Sequence, residues 1–422
     1  MIGILGAGLT GLSAAFHAGT NHLVLEKGRE VGGMARSFSF RGCMFDCGPH
    51  AFFTGNKRVL SLISPLLKPN YLLAHARRAF IFFRDRLIGY PFEANLYALP
   101  KEVMEACLEG AKNRPDAKPK NFREWLLASF GEGIARHYLI PYNEKLWKCP
   151  ADRMSSSWVV GRVPAPSLTD ILASARGGLR KKFGANARFR YPVRGGISAI
   201  PAALSSRARV KLASEVVEIR SGASGVTVRL SGGRKYIFSS LISTLPLPEL
   251  VRLLPDATTE AERAAACLAF NSLACVNIVV KNARFDHHWI YFPDRSFPFH
   301  RVSFPSNFSP YNAPKGLSSM MVEFTYRNDG MSDAEYISAA IDGLRRAGLL
   351  PKNSQPMASV MRSKYAYVIP TPEGERAAAF LRDFMRERKI ITAGRYGAWE
   401  YLNMDHCILA GERAAEEARH IA

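Results

Sequence analysis

The chain has 422 residues, 47% hydrophobic and 22% charged, enough for two or three domains with full apolar cores, which excludes a small stapled scaffold. Its seven cysteines (43, 47, 107, 149, 267, 275 and 407) are odd in number and scattered, which points away from a disulfide framework to a reducing, cytoplasmic compartment. Lys and Arg total 57 against 36 Asp and Glu, formally +21, but the densest basic stretch (176–190) is brief, so a small anionic ligand fits better than nucleic acid.

The first thirty residues predict strand, helix, strand. Ile2, Ile4 and Leu5 make a short buried strand, Leu12, Ala15 and Phe16 begin a helix, and His22 to Leu25 give a second strand. The opening is apolar enough for a signal peptide but lacks a basic leading region, so it is read as folded structure. Between strand and helix lies Gly6-x-Gly8-x-x-Gly11, with Glu26 twenty residues after Gly6. Gly6 allows a tight turn, Gly8 lets backbone approach a pyrophosphate, and Gly11 lets helix pack on strand. The helix N-terminus then offers free N–H groups, and Glu26 can accept from a ribose diol. This context predicts a bound dinucleotide.

The next segment, GCMFDCGPH, sets Cys43, Cys47 and His50 close together. A metal site would need a fourth ligand, and no Cys/His pair elsewhere has suitable spacing. His287-His288 is adjacent and is expected at a surface strand end. No metal is therefore expected, and Cys43 and Cys47 are expected to be small packing residues.

A helical region follows. Pro100 sits at a first-turn position ahead of Val103, Met104, Cys107 and Leu108 at helical spacing. Asn121 is a predicted N-cap with Glu124 three later, Phe122, Trp125, Leu126 and Phe130 share a face, and Gly131 is a stop. Segment 95–185 is expected to be mostly helical. From about 190 strands dominate: Val226, Val228 and Leu230 alternate, turn at Gly232-Gly233, and continue in Tyr236 and Phe238. Further runs at 274–280, 289–292, 299–304 and 320–326 look strand-like, and a C-terminal helix closes the chain. No run approaches the roughly 20 apolar residues of a membrane span. Peripheral membrane contact and homo-oligomer formation are left open.

EKGREVGGMARSF, with Gly33 and Arg36, extends the fingerprint in the manner of FAD proteins of the amine-oxidase and glutathione-reductase-like group. YPFEANLYALP, NFREWLLASFGEGIARHYLIPYNEKLW, WVVGRVPAPSL, RYPVRGG, SNFSPYNAP and GRYGAWEYLNMDH occur in the order seen in UDP-galactopyranose mutases, above all the eukaryotic type. The chain resembles that family along nearly its whole length. The resemblance implies an α/β fold with a Rossmann-type FAD-binding domain (1–70, 190–248 and 376–422). A helical insertion domain (93–189) and an antiparallel β-sheet substrate domain (71–92 and 249–375) complete it.

The implied reaction interconverts pyranose and furanose forms of a UDP-sugar through an adduct at N5 of reduced FAD, a step of cell-surface polysaccharide biosynthesis. NAD(P)H is an implied candidate reductant. By resemblance His50, Arg162, Arg301, Arg395 and Tyr401 are catalytic, with Arg162 and Arg301 binding the diphosphate. Gly6, Gly8, Gly11, Glu26, Gly33, Arg36, Gly48, Val217, Gly394, Asn403 and Asp405 hold the flavin. Tyr90, Glu93, Asn143, Trp147 and Tyr311 join the two diphosphate arginines in binding substrate. The chain departs from the family at Pro49 (glycine), Glu93 (glutamine), Phe308 (tyrosine) and Ile369 (tyrosine). Two other functions compete: an FAD-dependent oxidase or dehydrogenase of the amine oxidase or protoporphyrinogen oxidase-like type, and a catalytically idle flavin-binding scaffold.

Overall fold

The computed structural model describes residues 1–159, 165–177, 187–328, 331–351 and 353–421. Strand β1 (Ile2–Leu5), helix α1 (Leu9–Ala18) and strand β2 (His22–Leu25) form as expected, with both strands fully buried. They belong to a five-stranded sheet whose order is Ile390–Thr392, Ser240–Ser243, β1, β2, Val210–Lys211. Every neighbouring pair is parallel, and such a sheet must be covered on both faces. The C-terminal helix Met404–Ile421 packs along α1.

A second sheet of seven strands runs Met357–Val368, Phe270–Lys281, Leu317–Tyr326, Arg301–Ser303, Trp289–Tyr291, Ala79–Phe83, Arg86–Gly89. It is antiparallel at every junction but one, since Trp289–Tyr291 pairs with Ala79–Phe83 in parallel. Alternation of Val226, Val228 and Leu230 appears in the strand Gly225–Leu230, the middle of a separate three-stranded antiparallel sheet.

The middle of the chain is helical. Phe122–Phe130 starts at Asn121, whose side chain accepts from Glu124 N at 2.9 Å, and stops at Gly131. Beyond it, Glu132–Trp147 is one helical run with a π-helical stretch at Ala135–Leu139. Ile140 N donates five residues back to Ala135 O, and the next residue, Pro141, has no N–H to donate.

His288 corrects the surface assignment for His287-His288. It is 1% exposed, accepts from Arg78 N at Nδ1 (3.1 Å) and packs edge-on against Phe189. Cys43 is fully buried beside Phe45, as a packing residue would be. Among the described residues, no helix is long and apolar enough to cross a membrane.

Candidate active site

One cavity of about 980 Å³ runs from the β1–α1 turn to the edge of the seven-stranded sheet. That volume is at the upper end of the usual range for ligand sites, about 300–1,000 Å³.

The first end of the cavity is the glycine turn. Gly6 has φ +94°, and a Cβ at Gly11 would stand 1.9 Å from Gly6 O, so the turn tolerates no side chain at either position. Gly8 precedes α1 with no side chain to cap it, which leaves the first-turn N–H groups facing the cavity. Glu26 lines the same end, its carboxylate accepting from Ala7 N and Gly28 N, both at 2.7 Å. Gly33 and Arg36 complete the rim, with Arg36 Nε donating to Gly33 O at 2.8 Å. An open glycine cradle on an uncapped helix N-terminus, with an acid beside it, fits the pyrophosphate and ribose of FAD.

The middle is charged. His50 Nδ1 lies 2.7 Å from Gly48 O. A carbonyl can only accept, so Nδ1 carries the proton and Nε2 the lone pair. Burial, reinforced by Arg395 and Arg301, lowers the imidazole pKa to about 4 and keeps it neutral. Gly394 and Arg395 come from the turn after the parallel strand Ile390–Thr392. The Arg395 guanidinium sits 4.5 Å from the Tyr401 ring and 5.5 Å from that of Tyr367. Its buried Nε has no hydrogen-bond partner among the described residues, a donor awaiting a ligand. Arg301 forms a forked pair with the fully buried Glu323, Nε–Oε1 at 2.5 Å and Nη2–Oε2 at 2.7 Å. Tyr367 OH lies 3.4 Å from the same Nη2, and Nη1 takes no part in the fork.

The far end is aromatic. Tyr90, Glu93 and Asn143 line it with Phe53, Trp289 and Tyr291. Asn143 spends its amide locally, donating to Leu139 O (2.8 Å) and accepting from Trp147 Nε1 (3.2 Å). Arg77 stacks 4.3 Å from the Tyr90 ring and donates to Tyr291 OH.

Gly11, which packs α1 against Gly6, and four other expected residues stand off the cavity wall. Val217 points outward at 36% exposure, and its neighbour Val216 lines the cavity instead, the consequence of strand alternation. Trp147 is 1% exposed and packs behind Tyr401 and Tyr367, at 5.2 and 5.8 Å between rings, where it can position both. Tyr311 is 53% exposed under the Arg194 guanidinium. Asp405 turns toward His406, accepting from its backbone N at 2.8 Å, while Asn403 reaches the wall. Arg162 lies outside the described residues. Cys47, expected to be mere packing, lines the cavity.

Two departures change meaning. Phe308 is buried among Phe189, Tyr191 and Trp289, away from the cavity, so a hydroxyl lost there removes no contact on the cavity wall. Ile369 is also buried off the wall, and Tyr367 presents a hydroxyl beside Arg301. Sequence reasoning missed Glu323, Arg77, Tyr142 and Tyr291. A lone acid within the apolar run MMVEFTY was the available signal for Glu323, because a buried carboxylate needs a partner. The other three carried none.

Known proteins share this fold. A solved structure of reduced UDP-galactopyranose mutase is 28% identical, with a TM-score of 0.92, over 100% of this chain and 96% of its own. A putrescine oxidase variant redesigned for cofactor binding is 16% identical (TM-score 0.71; 99% and 98% covered). A CLA-producing fatty acid isomerase from P. acnes is 14% identical (TM-score 0.66; 99% and 98% covered). These two show the shared fold alone, on which different chemistries occur. The sequence family described as flavin containing amine oxidoreductase matches residues 9–419, and the chain, with its glycine cradle and large cavity, belongs to that family of flavin enzymes.

Proposed function

We propose that the protein is a flavin-dependent mutase that interconverts pyranose and furanose forms of a nucleoside-diphosphate sugar. The observation that carries this reading is the end-to-end similarity to reduced UDP-galactopyranose mutase, joined to a cavity that sets cationic side chains between the flavin cradle and an aromatic end. When bound, reduced FAD supplies a nucleophilic nitrogen for the anomeric carbon.

The chain's own residues supply the rest. The Arg395 Nε donor and the Arg301 Nη1 edge, both outside protein hydrogen bonds described above, are suited to a leaving diphosphate. Arg162 is a further candidate for that role. Glu323 fixes the Arg301 fork and cancels part of its charge, so diphosphate would restore a net negative site. His50, neutral with its lone pair on Nε2, can accept a proton or a sugar hydroxyl hydrogen bond without adding charge. The rings of Tyr401 and Tyr367 flank Arg395, and the Tyr367 hydroxyl sits beside Arg301. With one dinucleotide fingerprint in the sequence, NAD(P)H as reductant would approach through the substrate end.

The test is to incubate dithionite-reduced protein anaerobically with UDP- and GDP-linked hexoses and separate the ring isomers. Isomer formation that requires reduction and consumes no acceptor is expected. Steady oxygen uptake with an amine or porphyrinogen, and no ring isomer from any nucleotide sugar, would transfer the chain to the oxidase reading.

A further inference from the structure

We infer that the cavity's aromatic end takes a nucleobase bearing two adjacent N–H donors, the guanine type, and that the Glu93 carboxylate reads it. This rests on the nucleotide-sugar reading above and narrows its substrate class.

Glu93 sits in a one-turn 3₁₀ helix, Phe92–Ala94, directly after Pro91. It is 4% exposed, yet it forms part of the cavity wall. Among the described residues, its carboxylate meets no donor other than its own backbone N–H. A mostly buried carboxylate that no side chain among the described residues pairs is costly unless water or a ligand in the cavity supplies donors. The wall around it supplies rings rather than charges. Phe92 stacks on Tyr138 at 5.1 Å, Tyr138 on Tyr142 at 5.7 Å, and Tyr142 meets Tyr291 edge-on at 5.3 Å. Tyr90 lies 5.1 Å from Tyr291. An aromatic shelf thus leads from Glu93 toward Arg301, and a flat base is the ligand such a shelf suits.

Carboxylate chemistry then chooses the base. An ionised carboxylate offers two acceptors and no donor. Uracil presents a lone N–H between two carbonyls, so its carbonyls would face the carboxylate. Cytosine and adenine place one amino group beside an acceptor nitrogen. Guanine alone among the common bases sets N1–H next to the 2-amino group, matching both oxygens.

Protonation adds a second handle. Burial raises the Glu93 carboxyl to about 7, and the titratable groups facing it are Tyr90 and Tyr138, with Arg77 stacked on Tyr90. A protonated acid could donate to a uracil carbonyl, whereas guanine needs the ionised form. Raising the pH through about 7 should therefore strengthen guanine binding and weaken uracil binding.

The experiment measures binding of GDP, UDP and inosine diphosphate, which lacks the 2-amino group, to flavin-loaded, dithionite-reduced protein at about pH 6 and about pH 8. At the higher pH, GDP should bind at least about tenfold tighter than either competitor, because a site built for a donor rejects the analogue lacking it. Glu93→Gln should bring GDP and inosine diphosphate close together while flavin content stays at the wild-type level. Should that variant fail to fold, the wild-type contrast between GDP and inosine diphosphate still decides. UDP binding as tight as GDP at the higher pH, or inosine diphosphate equal to GDP, overturns the base assignment and leaves the mutase reading to the ring-isomer assay. If no nucleoside diphosphate binds at either pH, both fall.

Discussion

Gly8 shows how much a single position can carry. A Cβ there would meet nothing nearer than Gly33 Cα at 4.0 Å, so the protein itself has room for a side chain. Gly8→Val should accordingly fold while filling the space a pyrophosphate must enter. The expected outcome is a colourless protein with near-normal thermal unfolding, read by flavin absorbance beside calorimetry. Glu323 is the opposite case, since its removal strands a cation. Arg301 and Glu323 are cross-strand partners in register, and Glu323 is wholly buried. Glu323→Ala should cost about 3 kcal/mol in urea unfolding, the low end for breaking a buried pair because Arg301 keeps some solvent contact. His288 adds a pH dependence. Burial lowers its pKa to about 3, with Arg78 contributing, while the unfolded chain protonates near 6.5. The unfolded state thus binds more protons below about pH 6.5, and stability falls as pH drops from there toward 3. One such group gives a slope of about 1.4 kcal/mol per pH unit. Glu93 and Asp46, both raised to about 7, act with the opposite sign between about pH 4 and 7. Comparing slopes of wild type and His288→Asn between about pH 4.5 and 6 isolates the histidine, and identical slopes would count against its buried neutral state.

At the scale of elements, what could be anticipated was what is local. The Asn121 cap and the Gly131 stop are written within ten residues of each other, and the glycine turn with Glu26 within twenty-one. Met357–Val368 escaped notice because it is an edge strand whose residues are mostly half-buried, with Arg362 and Lys364 on its outward face. Its partner lies some ninety residues earlier, so no local pattern marks it. The aromatic end of the site was hidden for the same reason, being assembled from Phe53, Arg77, Tyr142 and Tyr291 on four separate segments. Val217 was misplaced by one residue, and in a strand one residue changes the face. Lys145 illustrates how such distant elements are joined. It is 9% exposed on the helix Ile140–Trp147, and its ammonium donates to the carbonyls of Phe292 (2.7 Å), Phe297 (2.9 Å), Phe299 (3.2 Å) and Asp294. The loop it gathers leads directly into Arg301. Lys145→Met keeps the apolar stem and leaves those carbonyls without their donor, at a cost of about 3 kcal/mol or more. Urea unfolding checks the stability. Weaker diphosphate binding should accompany the loss, because the strand Arg301–Ser303 is then held less firmly.

Across the whole molecule the dominant fact is charge. With 57 basic against 36 acidic residues the chain carries a formal net charge of +21, which favours the approach of an anion. Exposed pairs such as Arg84–Glu102 (2.6 Å) cancel locally and contribute little to binding. The uncancelled excess acts over distance, and the cavity wall continues it inward with Arg36 and Arg395. Such a field raises encounter rates of anionic ligands by about 10 to 1,000-fold at low salt. Its reach shrinks from about 30 Å at 0.01 M salt to about 8 Å at 0.15 M, whereas contacts inside the cavity are screened far less. Steering and holding should therefore separate. Association of a nucleoside diphosphate with the flavin-loaded protein, followed by stopped-flow flavin absorbance, should slow by about tenfold between those salt concentrations. Dissociation should change by much less, because it is governed by buried contacts at Arg301 and Arg395. The matching uncharged nucleoside should associate at a rate indifferent to salt. If diphosphate and nucleoside respond alike, the positive excess plays no part in capture, and the diphosphate must be recognised only after it has entered.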